Sequence, residues 1–125
     1  MTLRICIYIF RKIKHLRVQS IESVVLLTPI GSIMLKKICR LEELKNIGGI
    51  LAHGAFDVLH IGHIRHLEAA RAMHPEGPLT VTITADRFIS KGHGRPVFPA
   101  SDRAHCLAAL ACVDHVAICE ESTGL

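Results

Sequence analysis

The chain has 125 residues, half of them apolar and about a fifth charged, with 15 Lys and Arg against 11 Asp and Glu. That length holds one compact domain of ordinary size, and the composition excludes disordered, collagen-like and low-complexity chains because enough side chains exist to form a core. The net charge of +4 is unevenly spread: residues 1–48 carry nine basic and three acidic side chains, residues 49–125 six basic and eight acidic, so the basic excess belongs to the N-terminal segment alone.

Residues 1–32 have no clean period: a β-like Ile5 to Phe10, a basic cluster, then a second β-branched run. This segment has no assignment to the rest of the fold. Its apolar stretches are interrupted by Arg11-Lys12, Thr28-Pro29 and Gly31-Ser32 and fall short of the ~20 residues of a membrane-spanning helix, and no small-residue cleavage site follows them. Five cysteines without a C-x-x-C pair read as small buried hydrophobes of a reducing compartment, and a cytoplasmic protein is the expectation.

Residues 33–125 are punctuated regularly and form the candidate domain. Leu35, Ile38, Leu41 and Leu44 recur every three residues, which predicts an amphipathic helix ended by Gly48-Gly49. Ile50-Leu51-Ala52 predicts a strand leading into His53-Gly54-Ala55-Phe56-Asp57. A helix follows from about Ile61 to Met73 with Ile61, Ile64 and Leu67 facing inward, stopped by Pro75 and Gly77-Pro78. Leu79 to Thr84 alternates as a strand, and Ser90 to Pro96 is a glycine-rich basic loop. Ser101 or Asp102 caps a further helix whose Ala104, Leu107, Ala108 and Ala111 face inward, and Val113 to Ile118 is the last strand. Strand, helix, strand, helix, strand with short connections is an α/β unit whose natural form is a parallel sheet with flanking helices.

Ligands of such sheets bind where loops leave the carboxyl ends of the strands. There Gly54 is expected to free the backbone for a sharp turn, and Gly62 to clear the helix start so that a phosphate approaches its N–H groups and positive dipole end. His60 and His63, three apart at that helix start, would project toward the same space and donate to phosphate oxygens. Taken by spacing alone, the pair also reads as a surface His-x-x-His with no role, and a zinc site is the weaker alternative because no nearby Cys or carboxylate set accompanies the two histidines.

Gly54-Ala55-Phe56-Asp57-Val58-Leu59-His60-Ile61-Gly62-His63 is similar to the G-x-F-D-x-x-H-x-G-H signature of the cytidylyltransferase-like nucleotidyltransferases, with the H-I-G-H form intact. The resemblance runs on through Ile64 to Arg71, Thr84-Ala85-Asp86, Lys91-Gly92, Arg95-Pro96, Arg103 and Leu110 to Val116, covering about residues 36–122. Within the family, the Lys-Gly-x-Gly-Arg-Pro loop and Cys112-Val113-Asp114 most resemble the adenylyltransferase domain of ADP-heptose synthase. Ala111 stands where some cytidylyltransferase relatives have an arginine, a departure from the glycerol-phosphate and choline-phosphate branches.

The resemblance implies a Rossmann-like parallel sheet and transfer of AMP from ATP to a sugar 1-phosphate of heptose type, with release of pyrophosphate. It implies His60, His63 and Lys91 as catalytic residues. Nucleotide binding would involve these together with Gly54, Ala55, Phe56, Asp57, Gly62, Arg95 and Arg103. Of the last two arginines, one sits at a helix start, against the dipole, and so needs a phosphate or solvent. Asp57 and Asp86 also read as turn formers. Mg²⁺ would accompany the ATP, bound through phosphate oxygens and water rather than by a protein ligand set. The implied partners are the small-molecule nucleotide and sugar phosphate, with no nucleic acid or membrane; a homodimer, or fusion or association with a sugar kinase, is compatible. Family members continue past the third strand to a second signature of the Ser-Thr-x-Lys/Arg-Ile type, so residues 33–125 correspond to the front part of such a domain. Two other readings remain: a CTP-dependent cytidylyltransferase acting on an alcohol phosphate, and a non-catalytic remnant that binds nucleotide or docks on a partner through residues 1–32.

Overall fold

The structure is a computed structural model that describes the backbone of residues 8–10 and, in full, residues 36–90 and 92–120. Four strands form one sheet in the order β1 (Tyr8–Phe10), β2 (Gly49–Gly54), β3 (Leu79–Thr84), β4 (His115–Cys119). The last three run parallel, as expected, while β1, drawn from the unassigned N-terminal segment, pairs antiparallel with β2. Parallel neighbours need crossovers, and each has one: helix α1 (Ile61–Met73) joins β2 to β3, and α2 (Ala100–Ala108) joins β3 to β4.

Register follows from the two-residue period of the strands. Ile50 lies opposite Leu79, Ala52 opposite Val81, Val81 opposite Val116 and Ile83 opposite Ile118. These side chains join Leu67 and Ala70 of α1 and Ala104, Leu107 and Ala108 of α2 in a single core. The alternate residues Leu51, Thr80 and Thr82 turn to the other face, beside Leu41 and Leu44 of a short 3-10 helix (Leu41–Leu44). At the start of β2 the chain passes so close to Pro78 that a Cβ on Gly49 would lie 2.2 Å from its carbonyl oxygen. With φ at +89°, only glycine fits there.

At the amino end of the sheet, Asp114 closes the structure. Its Oδ2 accepts from the Leu79 N–H at 2.7 Å and from the Arg71 guanidinium, whose Nη1 also donates to the Gly77 carbonyl at 2.7 Å. The Cys-Val-Asp segment therefore anchors the β3 start, at the end of the sheet opposite the loop that carries His60.

Several expectations are corrected. No amphipathic helix runs from residue 35 to 45. The backbone is helical at Lys36 and Lys37, then Ile38 forms a parallel bridge with Val116, the Cys39 N–H donates to the Val116 carbonyl at 3.0 Å, and Arg40 is extended. The outer edge of β4 offers unpaired carbonyls, and satisfying one while packing Ile38 against the core outweighs a weak local helix preference. On α1 the buried stripe is His63, Leu67 and Ala70, whereas Ile61 is 60% exposed. Helix α2 is capped by Pro99, two residues before Ser101 and three before Asp102, because Pro99 offers its carbonyl to the Asp102 and Arg103 N–H groups. Ala111 lies beyond the helix and is exposed, β4 begins at His115 rather than Val113, and Cys106 is exposed rather than buried.

The rotated face of α1 predicts unequal costs. Leu67→Ala should destabilise the chain by about 2–5 kcal/mol, whereas Ile61→Ala should change stability by less than about 0.5 kcal/mol. Urea denaturation of the two variants checks this.

Candidate functional site

The loop from β2 to α1 turns sharply, but not at glycine. Phe56 holds a left-handed backbone (φ +48°) with its ring 3% exposed, a conformation that costs a non-glycine residue roughly 1–2 kcal/mol. Gly54 serves differently from the expectation: a Cβ there would lie 3.0 Å from the Phe56 ring, so its absence makes room for that ring. Strain of this kind survives only where packing overdetermines it, and it concentrates at functional sites.

Both histidines sit in the first turn of α1. His60 is its N-cap, with its Nδ1 accepting from the Gly62 N–H at 3.1 Å, and His63 Nδ1 accepts from the His60 N–H at 3.3 Å. Their rings stack with centroids 3.8 Å apart, and Phe56 packs on His63 at 5.2 Å. The Gly62 N–H, expected to be open to a phosphate, is taken by His60. His60 is exposed and His63 buried; burial, then the neighbouring His60 and His66, push the His63 imidazole below its ordinary 6.5. His53 stands apart: it faces Thr82 and Thr84, with Nδ1 2.9 Å and Nε2 3.3 Å from their hydroxyls, and burial lowers its pKa.

Asp57 is a tie between loops. Its Oδ1 accepts from the Val97 and Phe98 N–H groups at 2.7 and 3.3 Å, and its Oδ2 from Arg95 at 2.7 Å. Burial by itself would raise the carboxyl; the Arg95 hydrogen bond, the two backbone N–H groups and the Arg95 charge together hold it below the ordinary value. Arg103, 2% exposed, is more deeply engaged. Its Nε donates to the Phe98 carbonyl at 3.0 Å, its Nη1 to the Ala55 and Thr84 carbonyls at 2.6 and 2.9 Å, and its Nη2 to Asp86 at 2.5 Å. Neither phosphate nor solvent but three main-chain oxygens and the Asp86 carboxylate satisfy this arginine.

The fold thus gathers Gly54, Ala55, Phe56, Asp57, His60, Gly62, His63, Arg95 and Arg103 around the carboxyl ends of β2 and β3. Lys91 lies outside the described residues. The carbonyls of Phe98 and Thr84 complete the Arg103 clamp; Phe98 has no sequence signal, and the Thr84-Ala85-Asp86 resemblance does not reveal this role, since main-chain acceptors are invisible in residue identity. Among the described residues no group of three or more His, Cys, Asp or Glu side chains is placed to hold a metal ion.

A family model described as cytidylyltransferase-like matches residues 51–123. The chain belongs to the cytidylyltransferase-like family. Similar relatives include a bifunctional protein HldE of Syntrophotalea carbinolica, 36% identical over 94 residues that make up 73% of this chain and 19% of the relative. Another is a bifunctional protein HldE of Streptomyces coelicolor, 46% identical over 76 residues, 59% of this chain and 16% of the relative. The chain therefore spans about a fifth or less of the length of the curated relatives it matches. The crystal structure of a lipopolysaccharide core biosynthesis protein from Thermoplasma volcanium aligns at TM-score 0.49 and 29% identity over 58% of each chain. No helix among the described residues of this cytidylyltransferase-like chain is long and apolar enough to cross a membrane.

Two loop ties set two expectations. Because the Asp57 carboxyl is held below its ordinary 3.8, its contribution to stability is complete above that value and is lost as the pH falls through the lower folded-state pKa. Asp57→Asn should therefore melt a few degrees below the parent at pH 7, with the gap closing below pH 3.8, as calorimetry across pH would show. Arg103→Met strands three carbonyls and the Asp86 carboxylate and should cost about 3–5 kcal/mol in chemical denaturation.

Proposed function

We propose that the chain acts in a nucleotidyltransferase that moves AMP from ATP to a sugar 1-phosphate of the heptose type. The observation that carries this reading is the pair of stacked imidazoles, His60 and His63, in the first turn of a helix at the carboxyl end of a parallel sheet. Membership of the cytidylyltransferase-like family and similarity to proteins named HldE support it.

In the proposed reaction an oxygen of the sugar phosphate attacks the α-phosphorus of ATP. The new P–O bond forms as the bond to the β-phosphate oxygen breaks, and pyrophosphate leaves with that electron pair. A phosphate monoester is largely dianionic near neutral pH, so no proton has to be removed from the nucleophile. The protein's task is positioning and neutralising charge. His60 and His63 donate to the phosphates through their second ring nitrogens, and Lys91 reaches the same phosphates from its loop. Ala55 and Phe56 contribute main-chain contacts, shaped by Gly54 and Gly62. Asp57, Arg95 and Arg103 border the nucleotide and hold the loops. Magnesium accompanying the triphosphate would be held by phosphate oxygens and water rather than by a protein ligand set, and would supply charge neutralisation there. As partners we propose a sugar kinase, fused or associated, or a second copy of the chain.

The family's description favours one other reading, in which CTP replaces ATP and an alcohol phosphate is the acceptor. Pyrophosphate release from the full chain with heptose 1-phosphate and MgATP tests the first reading. His63→Ala should lower kcat/KM by about 100-fold or more, the usual cost of one transition-state donor. Turnover with MgCTP and glycerol phosphate alone would establish the alternative. A folded chain that turns over neither would be a remnant without catalysis.

A further inference from the structure

Both imidazoles of the first turn of α1 spend the same nitrogen on the main chain. Gly62 N–H donates to His60 Nδ1, and His60 N–H donates to His63 Nδ1. A ring nitrogen that accepts a hydrogen bond carries no proton, so each neutral ring keeps its single proton on Nε2. We propose that this turn is a tautomer lock, with Gly62 as its positioning residue, which presents His60 and His63 to phosphates as two neutral Nε2–H donors rather than as imidazolium cations. The lock is a property of the free chain; that it serves phosphate rests on the proposed function.

Three observations bear on it independently. First, a Cβ on Gly62 would stand 2.9 Å from Cε1 and 3.0 Å from Nδ1 of His60, so the ring folds back over the helix start only because position 62 has no side chain. Glycine is otherwise unfavourable inside a helix, and its φ here is not left-handed, so space is what the position requires. Second, the ring centroids lie 3.8 Å apart with the planes tilted by 32°, a separation at which charge on one ring disfavours charge on the other. Third, a proton added at either Nδ1 removes the acceptor of a capping bond, and it does so at the positive end of the helix dipole, where a cation is disfavoured.

The surroundings agree. His63 is 5% exposed, and the β2 loop covers it with the uncharged Phe56 ring. The titratable groups that bear on it are His60 and His66 of its own helix, and both act, after burial, to lower its pKa. Neither neighbour supplies a negative charge that would hold an imidazolium.

Nitrogen NMR of the histidine rings in the full chain at neutral pH tests the lock. The expected result is an unprotonated Nδ1 and a protonated Nε2 in both His60 and His63; a proton on Nδ1 of either ring overturns it. With MgATP added, both rings should remain neutral, and an imidazolium signal in the complex would overturn the phosphate part. If MgATP shifts nothing, the nucleotide reading fails while the lock is still judged on the free chain. Gly62→Ala should release His60 into a mixture of tautomers and weaken MgATP binding about tenfold, the worth of one hydrogen bond to a charged group. A purely structural glycine would instead leave the tautomers and the affinity unchanged and, by helix preference, raise the melting temperature.

Discussion

One buried guanidinium sets the geometry of the sheet's carboxyl end. Arg103 projects from α2 into a water-poor space where an unsatisfied charge costs several kcal/mol. Four acceptors offset that cost: the carbonyls of Ala55, Thr84 and Phe98, and the Asp86 carboxylate. They come from the loop after β2, the end of β3 and its following turn, and the segment ahead of α2. A guanidinium is a rigid planar fork, so its donors fix not only the distances but the orientation of those segments. Asp57 repeats the device on the outside, binding the β2 loop to Arg95, Val97 and Phe98. At the amino end Arg71 and Asp114 do the same for the β3 start. The two ends of the sheet are thus closed by arginines whose partners are largely main chain.

Within that frame, unfavourable choices crowd into eight residues. Phe56 adopts a left-handed backbone, His63 takes a position on the buried stripe where Leu67 and Ala70 follow, and two imidazoles lie against each other with their planes tilted by 32°. Each choice is costly alone, and together they fit: the Phe56 turn brings its ring over His63, and His63 in turn caps the helix that the turn begins. Sequences agree with their folds at every level except where a site demands otherwise, and here the disagreements coincide with the histidine motif.

Legibility in the sequence divides along the range of the interactions. Leu79 to Thr84 was readable as a strand and α1 as a helix because alternation and helix stops are local signals, and the H-x-G-H signature pointed to the family before any coordinates. Residues 38–45 were not, because their conformation answers to a β4 carbonyl 77 positions away that no local pattern encodes. The face of α1 was misjudged for a similar reason. Ile61 looked inward by hydrophobicity, but the cap geometry at His60 and the Phe56 ring rotate His63 into the core instead. Arg103 was legible as a residue needing a partner; that the partners are main-chain oxygens 48 and 19 positions away was not.

The distribution of charge then takes on a different meaning. Residues 49–125 carry fewer basic than acidic side chains, and the arginines at the carboxyl end of the sheet are each paired, Arg87 with Glu120, Arg95 with Asp57 and Arg103 with Asp86. On the proposed reading, what remains for an anion among the described residues there is a pair of neutral donors, the second ring nitrogens of His60 and His63, because the His60, Gly62, His63 and Ile64 N–H groups already have acceptors. Neutral donors orient a polyanion without cancelling its charge. On the same reading, a site of that kind suits an anion that brings its own cation, as a magnesium-bound triphosphate would. On the proposed reading Lys91 adds a positive charge to that set. The division of labour between oriented dipoles and one added cation suits a reaction in which charge migrates from the attacking phosphate to departing pyrophosphate without net change.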